Sequence, residues 1–119
     1  MRARQFELWR VNLNPTLGRE QAGLRPCVIL QTNAANPYGE TTIIAPCTSK
    51  RTDKVYPYEI LVSPTKENGL EELSKIKVEQ VRVIAHERLL KKIGVLSSLD
   101  SEKIGVALDI IFDRRGDFI

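Results

Sequence analysis

Residues 18–30 constrain this chain more than any other stretch, because they join two segments that cannot share one kind of structure. Positions 18–23, Gly-Arg-Glu-Gln-Ala-Gly, are polar, bracketed by glycine and free of apolar periodicity, so they read as a mobile surface loop. Val28, Ile29 and Leu30 are a continuous apolar run, as in a buried strand. Pro26 stands between the two. It lacks a backbone donor, suits the first position of a strand and biases Arg25 toward an extended backbone. Arg25 is therefore expected at the rim of the core, where loop meets sheet. A guanidinium held there is a receptor for phosphate, whose oxygens match its planar fork, or a partner for a surface carboxylate. The stretch by itself leaves both uses open.

The remainder reads as short strands and one helix. Residues 7–13 alternate Trp9, Val11 and Leu13 with Leu8, Arg10 and Asn12 and form a first strand. The second, 26–32, stops at a cluster of turn formers over 33–39. The third, 41–46, is β-branched and apolar and delivers Cys47, Thr48 and Ser49 at its end. A basic loop over 50–54 leads to a fourth strand at 55–62, where Pro57 argues for an edge position. Alternation from Leu73 to Gln80, in a run that continues through Val81, Val83 and Ile84, predicts a fifth strand with Lys75, Lys77 and Glu79 on one polar face. His86, Glu87 and Arg88 form a brief turn, and 93–96 a last short strand.

A helix is predicted from about Ser98, with Asp100 and Glu102 at its positive end. Ile104, Ala107, Leu108, Ile111 and Phe112 form its apolar face, and Gly116 is its expected stop. Short strands with local connections and a C-terminal helix describe a mainly β (α+β) protein, a small antiparallel barrel. A length of 119 residues fits one domain over 1–119.

Several classes are excluded. No apolar run approaches the roughly 20 residues needed to span a bilayer, so no membrane role is expected. The basic start, Met1 to Gln5, has no apolar segment behind it and does not read as a signal peptide, which makes the cytoplasm the default compartment. Cys27 and Cys47 sit in apolar segments and read as buried thiols. There is no Cys-x-x-Cys and a single histidine, His86, so no metal site is expected. Phosphate-loop, nucleophile-elbow and dinucleotide fingerprints are absent.

The net charge of +3 and pI near 9.0 permit a polyanionic partner without demanding one. Lys50, Arg51 and Lys54 cluster in one loop; Lys75, Lys77 and Arg82 lie in one alternating region. Three groups could converge at strand ends: Arg25; Thr48 with Ser49; and Lys77, Glu79 and Gln80. Each also has an ordinary use, as a turn, a solvated face or a buried amide needing partners. One histidine rules out a two-histidine ribonuclease mechanism within one chain. Any RNA cleavage would fall to an arginine, hydroxyls and a carboxylate, with the RNA 2′-hydroxyl as nucleophile.

With these residues laid out, the sequence resembles the MazF/PemK (Kid) family of bacterial toxin endoribonucleases. The matching pieces, in family order, are residues 9–16, Trp-Arg-Val-Asn-Leu-Asn-Pro-Thr; residues 18–26, ending Leu-Arg-Pro; residues 44–49, Ile-Ala-Pro-Cys-Thr-Ser; and residues 79–84, Glu-Gln-Val-Arg-Val-Ile. The resemblance runs from about residue 7 to 112. It implies an SH3-like, CcdB-like barrel with a C-terminal helix. It also implies the toxin component of a type II toxin–antitoxin system: a homodimer that cuts single-stranded mRNA at short sequences, needs no metal or other cofactor, and is silenced by a cognate acidic antitoxin.

By the same resemblance Arg25 and Thr48 are catalytic, Arg25 stabilising the pentacovalent phosphorane and Thr48 positioning the scissile phosphate. Arg19, Glu20, Gln21, Ser49, Lys50, Lys77, Glu79 and Gln80 are the expected substrate-binding residues. Some members carry an arginine and an aspartate where Lys77 and Glu79 stand. The histidine that some members carry in the first loop is absent, so Arg19 or Glu20 compensates, or no such group is needed. The related CcdB family, which poisons DNA gyrase without catalysis, offers a rival reading on the same barrel. That action resembles a wedge with a tryptophan near the chain end, and the tail over 114–119 has none.

Overall fold

The first three strands carry apolar side chains on both faces, and this decides the architecture. In the computed structural model, which describes residues 3–117, they are β1 (Glu7–Asn12), β2 (Leu24–Ile29) and β3 (Thr41–Thr48). The first two and last two residues of the expected 1–119 domain lie outside the described residues. Leu8, Val28, Ala45 and Cys47 pack to one side of the sheet; Trp9, Val11, Cys27, Ile29 and Ile44 pack to the other. A flat sheet with one helix would leave the second set in water. The sheet therefore curls on itself, and the helix covers the first set.

Four further strands complete an antiparallel, barrel-like sheet: β4 (Glu59–Val62), β5 (Ser74–Lys77), β6 (Arg82–Ala85) and β7 (Leu89–Val95). The order is β4-β5-β3-β2-β1-β7, with β6 also on β3. β4 is at the edge, as Pro57 suggested, although the strand starts only at Glu59 and Pro57 lies in the preceding turn. The last strand begins at Leu89, four residues earlier than its sequence pattern indicates.

The long fifth strand is two strands. β5 meets the end of β3 through Cys47↔Ile76 and Thr48↔Lys75, whereas β6 meets its beginning through Thr41↔Ala85 and Ile44↔Arg82. The pairing slips by three residues between them, which the 3₁₀ turn Val78–Gln80 absorbs. That turn buries Val78 and swings Gln80 toward the first loop. Nor is the polar side of β5 solvated throughout, since Lys75 is only 4% exposed.

The helix, α1 (Ser98–Phe112), starts as expected: Ser97 caps it, its hydroxyl accepting from the Asp100 N–H at 3.1 Å. Its end differs. Asp113 adopts a left-handed backbone and terminates it three residues before Gly116, a conformation that aspartate tolerates better than most side chains. Ile104 and Ala107 are buried, with Leu108 and Ile111 packed beside them, but Phe112 is 60% exposed and leaves the predicted face.

The loop before β5 lies against β7. A Cβ placed on Gly94 would stand 2.3 Å from the Asn68 carbonyl oxygen, and one on Gly69 would stand 1.9 Å from that of Ile93. Both are backbone atoms that cannot rotate away. Gly94→Ala is expected to cost about 1–3 kcal/mol of stability, read by urea unfolding, as overpacking of a close contact does. Unchanged stability would show that the two segments separate freely.

Candidate active site

β2 and β3 pair in the register Cys27↔Pro46, Val28↔Ala45, Ile29↔Ile44. Continued by two residues, that register sets Arg25 opposite Thr48. Opposed residues in an antiparallel pair have Cβ atoms about 4.5–5.5 Å apart and project to one side. The ladder gives way here, and side chains replace it. The Arg25 Nε–H donates to the Ala22 carbonyl at 2.8 Å, and an Nη1–H donates to the Cys47 carbonyl at 3.0 Å. Two of five donors are thus fixed, which locks the plane of the guanidinium and leaves the other three for an anion. Across from it, the Thr48 hydroxyl accepts the Lys50 N–H at 3.1 Å and keeps its own proton to donate.

Arg25, Thr48 and Lys50 form the wall between two cavities. The smaller, ≈ 300 Å³, is also lined by Arg10, Ser49, Glu71 and Glu72. The larger, ≈ 620 Å³, holds Arg19, Glu20, Gln21, Arg51, Lys54, Tyr56, Lys75 and Lys77. Among the described residues, Glu20 is the one carboxylate lining the larger cavity, against seven cationic side chains including Arg25 and Lys50.

The floor of that cavity rests on Glu59, which the sequence reading did not single out. Its side chain is fully buried and sits opposite Lys77 in the β4–β5 ladder. Glu59 Oε1 accepts from Lys75 Nζ at 3.1 Å and from the Tyr56 N–H at 3.0 Å, and Oε2 pairs with Lys77 Nζ at 3.2 Å. Lys77 also reaches Glu79 at 3.3 Å, as the two-residue spacing on one polar face allows. Burial alone would raise the carboxyl pKa of Glu59. The Tyr56 N–H and the two ammoniums outweigh it and hold the carboxyl below its usual range. Burial pulls Lys77 down, but Glu59 and Glu79 prevail and raise its pKa. Lys77 therefore stays charged at neutral pH and cannot serve as a general base there.

Glu79 and Gln80 do not line the Arg25–Thr48 cavities. They line a neighbouring one of ≈ 600 Å³, which shares Arg19, Glu20 and Gln21 with the larger cavity. The Gln80 amide grips the first loop: its Oε1 accepts the Gln21 N–H at 2.7 Å and its Nε2 donates to the Arg19 carbonyl at 3.3 Å. Further along, Gly23 N–H donates to Asn14 Oδ1, so the loop carries specific ties at both ends.

Neither thiol is a nucleophile. Burial pushes Cys47 up to about 12 despite Arg25 nearby, and Cys27 is also raised well above its normal value, by burial and then by Cys47. Both cysteines are free. His86 Nε2 is buried with no hydrogen-bond partner among the described residues, and His86 lines none of these cavities. The arrangement can bind a phosphate, donate hydrogen bonds to it and hold a cationic field around it.

Residues 4–112 match the family model of PemK-like, MazF-like toxins of type II toxin–antitoxin systems. The chain belongs to this toxin family. It is 35% identical over 114 residues to Endoribonuclease MazF9 of Mycobacterium tuberculosis, covering 92% of this chain and 96% of that protein. It is 31% identical over 110 residues to Endoribonuclease EndoA of Bacillus subtilis, covering 92% and 94%. Its fold is that of a mycobacterial endoribonuclease solved in complex with its cognate antitoxin, with a TM-score of 0.77 at 17% identity over 93% of this chain and 95% of the other. Among the described residues of this PemK/MazF-family chain, no helix is long and apolar enough to cross a membrane.

The buried charge cluster sets a pH dependence. Because the Glu59 pKa is lowered on folding, its stabilisation is complete above the normal carboxylate range and drains away as pH falls through the lowered value. Glu59→Gln leaves Lys75 without its counter-ion and Lys77 with Glu79 alone, and is expected to cost about 3–5 kcal/mol at neutral pH in urea unfolding. The same change should flatten the loss of stability on acidification. Wild-type stability of the variant at both pH values would refute this role.

Proposed function

We propose that this chain is the toxin of a type II toxin–antitoxin system and a sequence-specific, metal-independent endoribonuclease acting on single-stranded RNA. One observation carries the reading: Arg25 and Thr48 stand opposite each other on the wall between two cavities. A phosphodiester seated on that wall has room for a nucleotide on each side. The free donors of Arg25 and the Thr48 hydroxyl then meet its non-bridging oxygens, where negative charge grows as phosphorus becomes pentacovalent.

The RNA 2′-hydroxyl is the nucleophile. Its proton passes to Glu20, a carboxylate that borders the larger cavity; its oxygen bonds to phosphorus, and the bond to the 5′-oxygen breaks as that oxygen takes a proton from solvent, to which Glu20 then returns its own. The products are a 2′,3′-cyclic phosphate and a 5′-hydroxyl end. The cations around the cavity neutralise charge in place of a metal. Arg19, Gln21, Ser49, Lys50 and Lys77 hold the flanking backbone, and Glu79 and Gln80 serve nucleotides that reach the neighbouring cavity.

A basic, grooved surface suits an acidic segment that folds on binding, and the cognate antitoxin is of that kind. The toxin acts in the cytoplasm as a homodimer, with one domain spanning residues 1–119. Arg25→Ala and Thr48→Ala, each shown to be folded, should cut a single-stranded RNA on the order of 100-fold or more slowly than wild type. Folded variants that cut at the wild-type rate would refute the assignment.

A further inference from the structure

The larger cavity has more room than one phosphate needs, and its lining contains parts that the chemistry at Arg25 and Thr48 does not use. Tyr56 lines it while remaining 41% exposed. Its ring lies flat on Tyr58, with centroids 5.6 Å apart and planes within 5°. Tyr58 does not line the cavity, so Tyr56 is the ring presented and Tyr58 the ring behind it. The backbone of Tyr56 is pinned from both directions. Its N–H donates to Glu59 Oε1 at 3.0 Å, and its carbonyl accepts the Glu59 N–H at 2.9 Å. An exposed aromatic ring is thereby anchored on the most deeply buried charge in the site.

We propose that Tyr56, backed by Tyr58, is a stacking platform for one unpaired base of the RNA, close to the cleaved phosphodiester. This rests on the nuclease reading given above. A pre-oriented ring in the lining of a cationic cavity is what a single strand uses, since every base has a stacking face and every nucleotide brings a phosphate.

Lys54 completes the device. Its ammonium sits 5.2 Å from the centre of the Tyr56 ring. A cation over an exposed ring is held more weakly than a stacked base, so an arriving base displaces it. The freed ammonium, tethered in the same loop, then faces the incoming backbone. Stacking tolerates any base, so the platform adds affinity and sets which nucleotide is held, while hydrogen bonds elsewhere choose the sequence.

The test uses the whole protein and an oligoribonucleotide that wild type cuts, made uncleavable by a 2′-deoxy sugar at the cleaved nucleotide. Tyr56→Ala should weaken binding by roughly 5- to 150-fold, whereas Tyr56→Phe and Tyr56→Trp stay within about twofold of wild type. Removing one base at a time should locate a position where an abasic site weakens wild type similarly but adds nothing to Tyr56→Ala. Cutting of the parent RNA by wild type is followed in parallel. A wild type that cuts while Tyr56→Ala binds equally well, or abasic losses that add at every position, overturns the platform and leaves the nuclease reading standing. A wild type that does not cut overturns both.

Discussion

The two hydrogen bonds from Arg25 to backbone carbonyls, one in the first loop and one at the end of β3, are what the rest of the site depends on. They replace the strand ladder where β2 and β3 part. An arginine side chain otherwise carries about 2 kcal/mol of rotamer entropy, which would be lost each time it gripped a ligand. Here that ordering comes with folding. The donors left over lie in a fixed plane beside the two cavities that Arg25 lines, and the register supplies Thr48 opposite.

Around this fixed cation the protein gathers more positive charge than one buried carboxylate can balance. Glu59 holds Lys75 and Lys77, and both ammoniums border the cavity. With Glu79 also on Lys77, the two ammoniums of the floor are paired, and the excess of positive charge comes from Arg19, Arg25, Lys50, Arg51 and Lys54 around the cavity. That excess is unfavourable while the cavity is empty and favourable once a polyanion arrives. Glu59 also pins Tyr56, so the floor and the aromatic part of the cavity share one anchor.

Much of this was legible from sequence. Pro26 after a polar loop and before an apolar run placed Arg25 at the rim, and the barrel followed from short strands with a capped C-terminal helix. Other features needed long-range pairing. Reading residues 73–84 as one strand concealed a three-residue slip: Val78 is apolar and carries the alternation into the turn, and the sign of the break was the change of phase at Gln80 and Val81. Lys75 read only as part of a polar face, because its partner, Glu59, lies on a different strand. Gln80 read as an amide that needs partners if buried, and sequence spacing could not show that the first loop, far upstream, supplies them. Asp113 ended the helix before the glycine that composition favoured, since a short polar side chain also tolerates the left-handed turn.

In the proposed reaction an arginine and a hydroxyl let an RNA strand sever itself. The most direct measurement incubates purified protein in excess chelator with a single-stranded RNA and with the same strand carrying one 2′-deoxy sugar at the cleaved position. Cleavage of the first at a defined site, with a cyclic phosphate end, and none of the second at that site is the predicted result. A requirement for metal, or equal cutting of both strands, would contradict it.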